Sequence, residues 1–441
     1  MREMKDSGIE WIGEIPLEWE INKIKYMFSN GKGLPITKEN LIDEGLPVIS
    51  YGQIHSKDNN GTKIGKNLLR FVNEKYSMKY PQCSISENDF VFADTSEDYD
   101  GCGNCVLKRD NSKVFAGYHT IILHSLLKRD NRFLAYLFKT DIWRKQIREK
   151  ASGVKVFSIT QKTLMNCKVI LPGYNEEKII ANYLDTQCSE IDAIAEDIQK
   201  EISLLEDYKK SVITEAVTKG LNPDVEMKDS GIEWIGQIPK HWEIIRIKNI
   251  GEYRNGLTYK PTDITDENTG ILVLRSSNIQ AGKISLKDNV YVSTFVRNDL
   301  KVQKGDILIC SRNGSRELVG KNAIIEDLQD VTFGAFMMIF RCDSPKYLYY
   351  ILNSKVFSYY LGSFFTSTIN QLTGSNFGNM KIVYVSNKLE QNKIVSYLDS
   401  KCSEIDAIIA DKKRQRGILA EYKKSLIYEY VTGKKEVPVH E

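Results

Sequence analysis

The sequence predicts an α+β protein: two similar α/β domains joined by two long antiparallel helices, related by an internal pseudo-two-fold repeat. Three observations predict it. The ten residues Met4–Gly13 recur letter for letter as Met227–Gly236, and the copy resumes with Ile15-Pro16 against Ile238-Pro239 and Trp19-Glu20-Ile21 against Trp242-Glu243-Ile244. A second pair follows, Tyr183-Leu184-Asp185 and Cys188–Ile194 against Tyr397-Leu398-Asp399 and Cys402–Ile408, with Tyr208–Ser211 against Tyr422–Ser425. Between these repeats the chain alternates strand-like and helix-like patterns. The offset is 223 residues for the first pair and 214 for the second, so the first copy carries nine more residues in its middle. A self-similar chain of this kind tends to fold about a two-fold axis, and a target with two matching halves, such as duplex DNA, suits it.

Four segments result: 1–175, 176–225, 226–385 and 386–441. In the variable parts, β-branched and aromatic runs are broken by Gly, Asn and Asp. Leu46–Ser50, Phe90–Phe92, Thr120–Leu123, Lys168–Leu171, Ile271–Leu274, Asp306–Ile309 and Lys381–Val385 read as strands. Asn131–Glu149 and Pro345–Leu361 carry apolar residues at helical spacing. This mixture reads as an α/β globule of about 160 residues in each copy.

The other two segments read as long helices. Ile179, Ile180, Tyr183 and Leu184 open the first, and Ile191, Ile194, Ile198, Ile202, Leu205, Val212 and Ala216 continue a near-heptad stripe. Gly220 and Pro223 end it. In the second, Ile405, Ile408, Leu419, Leu426 and Tyr430 hold the stripe, while Lys412 and Arg416 replace Ile198 and Ile202. A lone helix cannot bury such a stripe, so the two are expected to bury theirs on each other. Segment 176–225 has 5 basic and 12 acidic residues, whereas the second helix carries the run Lys412–Arg416, so charge favours pairing within the chain. The stripe from Ile191 to Val217 spans about 40 Å at 1.5 Å per residue, close to one turn of DNA.

Composition sets the outer limits. With 441 residues, 41% hydrophobic and 10% aromatic, the composition permits substantial cores and argues against global disorder. No apolar run reaches 18 residues, and the longest candidate, Phe333–Phe340, is strand-sized, so no membrane span is expected. The polar start predicts no signal peptide. Eight scattered cysteines suit reduced thiols in a cytoplasmic protein. The net charge of +3 does not argue for nucleic acid alone, but segments 1–175 and 226–385 are both basic, with 26 cationic against 21 acidic residues and 19 against 16.

Catalytic signatures are missing. Gly314…Gly320-Lys321-Asn322 does not match a phosphate-binding loop, and Gly101–Cys105 lacks the third glycine of a dinucleotide fingerprint. The histidines His55, His119, His124, His241 and His440 lack metal-ligand spacing, and Cys102 and Cys105 form a single pair without a partner pair. No cofactor and no metal are expected. The positive signal is basic and amide side chains in glycine-bearing loops that follow strands. In the second copy these are Arg254, Asn255, Lys260, Arg275, Asn278, Arg312, Asn313, Arg316, Asn370 and Gln371. In the first they are Lys32, Lys38, Tyr51, Gln53, Lys155 and Gln161. Arg and Lys suit guanine, Asn and Gln suit adenine, and all hold phosphates. The loops differ between copies while the framework repeats, as expected of exchangeable readers on a common scaffold. Trp11, Trp19, Trp234 and Trp242, beside Pro16 and Pro239, are expected to be packing anchors.

The chain resembles the DNA-specificity subunit of type I restriction–modification systems. Asp-Ser-Gly-Ile-Glu-Trp-Ile-Gly-x-Ile-Pro-x-x-Trp is similar to the opening of that family's target-recognition domains. Glu176–Ile180 through Ile213, and Glu390–Ile394 through Gly433, resemble its central and distal conserved regions. Gly305-Asp306-Ile-Leu308 matches a family strand, for which the first copy has Asn88-Asp89-Phe-Val91. The resemblance implies target-recognition domains at 1–175 and 226–385, helical spacers at 176–225 and 386–441, and one half of a split site read by each domain. It implies double-stranded DNA, two methyltransferase subunits that carry S-adenosylmethionine, and ATP-dependent restriction subunits as partners. The subunit itself would do no chemistry. A free-standing two-domain DNA-binding regulator is the alternative reading.

Overall fold

The computed structural model describes residues 2–127, 129–364 and 370–438. His440 and the loop residues Thr366–Ile369 lie outside them. The chain forms two compact units, one of Met1–Asp197 with Gln415–Glu441 and one of Ile198–Arg414. Each boundary falls inside a long helix, Tyr174–Lys219 or Lys388–Val431, so each unit owns part of each helix.

Within the first unit, an antiparallel sheet runs in the order Cys105–Leu107, Phe90–Ala93, Thr120–Ser125, Phe28–Lys32. A second sheet runs Arg70–Val72, Leu46–Ile49, Val114–Ala116, Ser84–Ile85, with Val114–Ala116 parallel to Leu46–Ile49. The second unit repeats both. Asn322–Ile324, Ile307–Cys310, Met337–Cys342 and Gly251–Asn255 form the first sheet in the matching order. Ile271–Leu274 pairs in parallel with Val331–Phe333 in the second. The sequence-predicted strands all form. Phe333–Phe340, by contrast, is divided: Val331–Phe333 and Met337–Cys342 are separate strands, and Met337 N–H closes the intervening turn on Gly334 O at 2.8 Å.

The turn before one strand explains a departure from repeat identity. Gly305 has φ +88°, and Asn88 at the matching place has φ +69°. Asn is among the few residues that tolerate this left-handed region, so it replaces Gly without a change of path.

Two expected helices are each broken in two. Asn131–Glu149 becomes Arg132–Lys139 and Asp141–Arg148, because Thr140 takes an extended conformation and its Oγ1 caps the Trp143 N–H at 3.3 Å. Pro345–Leu361 becomes Pro345–Leu352 and Lys355–Phe364, with Ser354 buried between them and its Oγ bonded to Ile351 O at 2.7 Å.

The long helices pair antiparallel in each unit, and an ion pair and an apolar core recur in both. Lys423 Nζ meets Asp192 at 2.5 Å in the first unit, and Lys209 Nζ meets Asp406 at 2.6 Å in the second. These are the same pair under the repeat, since Asp406 matches Asp192 and Lys423 matches Lys209. Ile180, Leu184 and Cys188 pack with Leu426, Ile427 and Val431 in one core. Ile394, Leu398 and Cys402 pack with Ile213, Ala216 and Val217 in the other. The expected charge complementarity is realised at Lys412 Nζ–Glu201, 2.5 Å apart. The stripe differs from expectation at one matched position: Ile194 and Ile408 are 50% and 47% exposed, and Ile409 is buried instead of Ile408. Their place in a near-heptad count does not bring them to the partner.

Both α/β globules are fixed to the helices by the same polar bonds. Trp19 Nε1 donates to Glu176 at 3.1 Å, and Trp242 Nε1 to Glu390 at 3.0 Å. Tyr136 Oη donates to Asp185 at 2.8 Å, and Tyr350 Oη to Asp399 at 2.6 Å. Trp19 and Trp242 are fully buried, so the anchoring role read from the repeat holds for them, while Trp234 stacks on Tyr359 at 4.2 Å and stays 42% exposed. Gly220, at φ +78°, ends the first long helix against Trp242, and Gly433, at φ +68°, does the same against Trp19.

Candidate nucleic-acid interface

In the second unit the loops leaving the strands Ile271–Leu274 and Ile307–Cys310 converge on one cleft of about 950 Å³. Its lining includes Tyr259, Arg275, Asp288, Arg312, Asn313, Phe336 and Asn370. Four of the sequence-predicted residues therefore meet: Arg275, Arg312, Asn313 and Asn370.

Their partners differentiate them. Arg275 is tied back, its Nη2 lying 2.9 Å from Asp288 Oδ2 and 3.2 Å from Asp288 O. The Arg312 backbone N–H donates to Phe336 O at 3.1 Å, and its guanidinium lies 5.2 Å from the centre of the Phe336 ring. Gln371 bridges Arg312 in antiparallel fashion. Asn313 uses both ends of its amide, Nδ2 donating to Ser276 Oγ at 3.1 Å and Oδ1 accepting from Ser315 N–H at 3.0 Å. Asn370 Nδ2 donates to Gly314 O at 3.1 Å.

Asn278 does not belong to this surface. It is fully buried, and its Oδ1 accepts the Arg275 N–H at 2.9 Å while Nδ2 donates to Ser285 O and Asp288 O. It locks the turn that presents Arg275. A capping residue and a base-reading amide look alike in sequence, which is why spacing alone selected it. Arg254 is engaged by Glu252 at 3.1 Å and Asp299 at 3.4 Å, outside the cleft lining. Asp299 in turn is held below the usual carboxylate range by its hydrogen bond from Arg297. Asn255 and Lys260 are exposed, and Arg316 is exposed with Nη2 donating to Gly362 O at 3.4 Å.

The first unit builds the matching place from other side chains. Gln53 repeats the role of Asn278, its Oε1 accepting the Ser50 N–H at 3.2 Å. Gln161 Nε2 donates to Gly31 O at 2.9 Å, which leaves it half-buried against the strand that ends at Lys32. Lys32, Lys38 and Lys155 are exposed. Tyr51 sits in an aromatic group with Tyr118 at 5.5 Å, His119 at 5.4 Å and His55 at 6.3 Å between ring centres. His119 holds φ +54° and places Nδ1 3.4 Å from Asp94. His119 occupies the position of Phe336, and Thr95 that of Arg312. Sequence reasoning passed over Tyr118, His119, Tyr259, Asp288 and Phe336. The alignment of Gly117-Tyr118-His119 with Gly334-Ala335-Phe336 after the parallel strands would have revealed three of them.

Cys102 and Cys105 are packed in the core of the first unit, and burial pushes the Cys105 thiol up to about 12, away from the thiolate that a metal ligand needs. Among the described residues no cluster of His, Cys, Asp and Glu has metal-binding geometry, and no helix is long and apolar enough to cross a membrane.

Two α/β units that carry different loops on a repeated framework, each with its own section of an antiparallel helix pair, define a bipartite recognition scaffold. The chain belongs to the type I restriction modification DNA specificity domain family, whose model matches residues 16–204 and again 239–415. It is similar to the Type I restriction enzyme MjaVIII specificity subunit of Methanocaldococcus jannaschii, with 22% identity covering 96% of this chain and 94% of that one. It is also similar to the Type I restriction enzyme EcoKI specificity subunit of Escherichia coli K12, with 26% identity over 72% of this chain and 66% of that one. A solved chain reported under the structural basis of complex assembly and conformational transition of the type I R-M system shares the fold, with a TM-score of 0.68 and 16% identity over 96% of this chain and 99% of that one. The protein is a specificity subunit of a type I restriction–modification system, a DNA-recognition component and not a catalytic one.

Proposed function

We propose that each unit reads one half of a split double-stranded DNA site, the second unit through the cleft around Arg312 and the first through the matching surface around Tyr51 and His119. One observation carries this reading. The Trp–Glu and Tyr–Asp bonds that fix each globule to the helices repeat, whereas the side chains at the second unit's cleft and at the matching surface of the first do not. A scaffold that keeps its mounting and changes its loops is built to present two different reading surfaces. On this reading 1–175 and 226–385 are the target-recognition domains, and 176–225 and 386–441 are the spacers that set the distance between half-sites. Lys32, Lys38, Lys155, Lys260 and Arg316 serve as exposed phosphate contacts around the readers.

The helices also offer docking faces for two methyltransferase subunits. Ile194, Leu204 and Tyr208 are 50%, 68% and 58% exposed and fall within about 80° of arc on the first long helix. Their repeat mates Ile408, Ile418 and Tyr422 do the same on the second. Equal rotational offset on antiparallel partners places the residues on one side of the pair. Each unit thus shows one trio: Ile194, Ile418 and Tyr422, or Ile408, Leu204 and Tyr208. The methyltransferase subunits would supply S-adenosylmethionine and the adenine chemistry, and restriction subunits would join them in the cytoplasm. Mapping methylated adenines in cells with and without this chain tests the reading: loss of one split motif supports it, and an unchanged map refutes it.

A further inference from the structure

We infer that Arg312, backed by the ring of Phe336, is the guanine reader of the second half-site. This rests on the cleft reading above and gives that site its base chemistry. Three cationic side chains near the cleft are committed to protein oxygen atoms: Arg275 to Asp288, Arg254 to Glu252 and Asp299, and Lys321 to Ser276 O at 3.3 Å. The Arg312 guanidinium has no carboxylate or carbonyl partner among the described residues, and it is exposed. Its contact with Phe336, Cζ 5.2 Å from the ring centre, is made to an aromatic ring and not to an oxygen atom, so its N–H groups have no carboxylate or carbonyl acceptor among the described residues. Those are the donors a guanine N7 and O6 pair accepts from in the major groove. The ring also restrains the guanidinium before binding, so less side-chain entropy is lost on contact.

The neighbouring amides do not compete for this role. Asn313 has both ends of its amide engaged, and Asn370 uses one of its two amide N–H donors on Gly314 O. Adenine recognition needs donor and acceptor together. Phe336 is 59% exposed, so it also presents an apolar edge that suits a thymine methyl beside the guanine. At the matching places the first unit has Thr95 and His119, so the first half-site is not read by a guanidinium from this position.

The test uses the full chain assembled with its methyltransferase subunits, and duplexes carrying every single base-pair change in both half-sites. R312A and R312K are expected to relax discrimination at one G·C pair of the second half-site, roughly 5- to 150-fold, with the first half-site unchanged. Lysine keeps the charge but lacks the planar fork. F336A should weaken the same position by a smaller factor. A loss with R312A that is uniform over all sequences and restored by R312K would make Arg312 a phosphate contact and overturn the inference. A third variant separates this from failure of the cleft reading. A Cβ added at Gly334, in the cleft lining, meets nothing nearer than 3.5 Å, so Gly334→Trp can start without a backbone clash and its indole is expected to obstruct the cleft. If G334W abolishes recognition of the second half-site while R312A changes nothing, the cleft stands and Arg312 is not its reader. If neither changes recognition, the cleft itself is not the site.

Discussion

Glu177 offers a sharp physical test of the scaffold, because the repeat supplies its own neutral control. Its carboxylate is 4% exposed in the first unit and accepts from Arg129 Nε at 2.6 Å and from Arg129 Nη2. Burial raises its pKa from 4.5 to about 7, against the lowering effect of Arg129. The matching residue in the second unit is Gln391, buried, with Nε2 donating to Val385 O and Oε1 accepting from Ser344 Oγ, both at 2.6 Å. A raised pKa in the folded state means that the fold favours the protonated acid. The stabilising contribution is complete below pH 4.5 and is lost as pH rises through about 7. The span from 4.5 to about 7 corresponds to about 3 kcal/mol. Glu177→Gln removes this slope. It also leaves Arg129 without its carboxylate, but that side chain is 19% exposed and can take up water, at a cost of about 1 kcal/mol. The variant is therefore expected to be more stable than the parent by about 2 kcal/mol at pH 8 and slightly less stable at pH 4.5. Hydrogen exchange of peptides from 174–197 in a urea series at both pH values reads the first unit alone. An identical pH slope in parent and variant refutes the reasoning, as does equal destabilisation at both pH values.

Other outcomes follow from the same structure. Asn278→Ala should destabilise the second unit by about 1–3 kcal/mol by orphaning buried backbone groups. Among active molecules it should leave base preference intact, and a change of preferred base in the methylation map would contradict the capping role. Leu204→Glu with Tyr208→Ala should weaken co-purification of one methyltransferase copy while DNA contacts of the clefts persist. Unaltered stoichiometry by native mass spectrometry would remove that docking face. Four residues inserted near Lys200 and four more near Arg414, keeping both helices in register, add about 6 Å and should lengthen the spacer by one or two base pairs. Methylome sequencing that finds the old spacer in an active protein rules out the ruler. The purified chain alone should show no methyl transfer from labelled S-adenosylmethionine and only weak, salt-sensitive DNA binding, and transfer above background would contradict its non-catalytic role.

The repeat made the architecture legible. Copies of Trp19, Glu176, Tyr136 and Asp185 sit at fixed offsets because each belongs to one bonded mounting that occurs twice. The breaks at Thr140 and Ser354 were hidden, since apolar spacing continues through both and only the capping hydrogen bonds end the first turns. Ile194 was misplaced because a heptad count assigns a residue to a stripe but not to the side on which the partner lies. At the clefts, residue type selected Arg312 and Asn278 alike. What separates them is whether a backbone carbonyl already satisfies the side chain, and that depends on loop paths such as Ser285–Asp288, which no local pattern encodes.

The division of the chain into units has a consequence in time. The second unit is one continuous stretch, Ile198–Arg414, whereas the first needs Gln415–Glu441 to complete it. Ile180, Leu184, Cys188 and Ile191 share a core with Leu426, Ile427, Tyr430 and Val431. During synthesis at roughly 5–20 residues per second, this apolar face stays uncovered for on the order of ten seconds or more after Ile191 has been made. The order of completion is thus inverted: the second unit is complete in sequence at Arg414, whereas the first, begun earlier, waits for the end of the helix Lys388–Val431. A nonsense mutation near Arg414 would spare the sequence of the first α/β globule and yet strip the lid from its core.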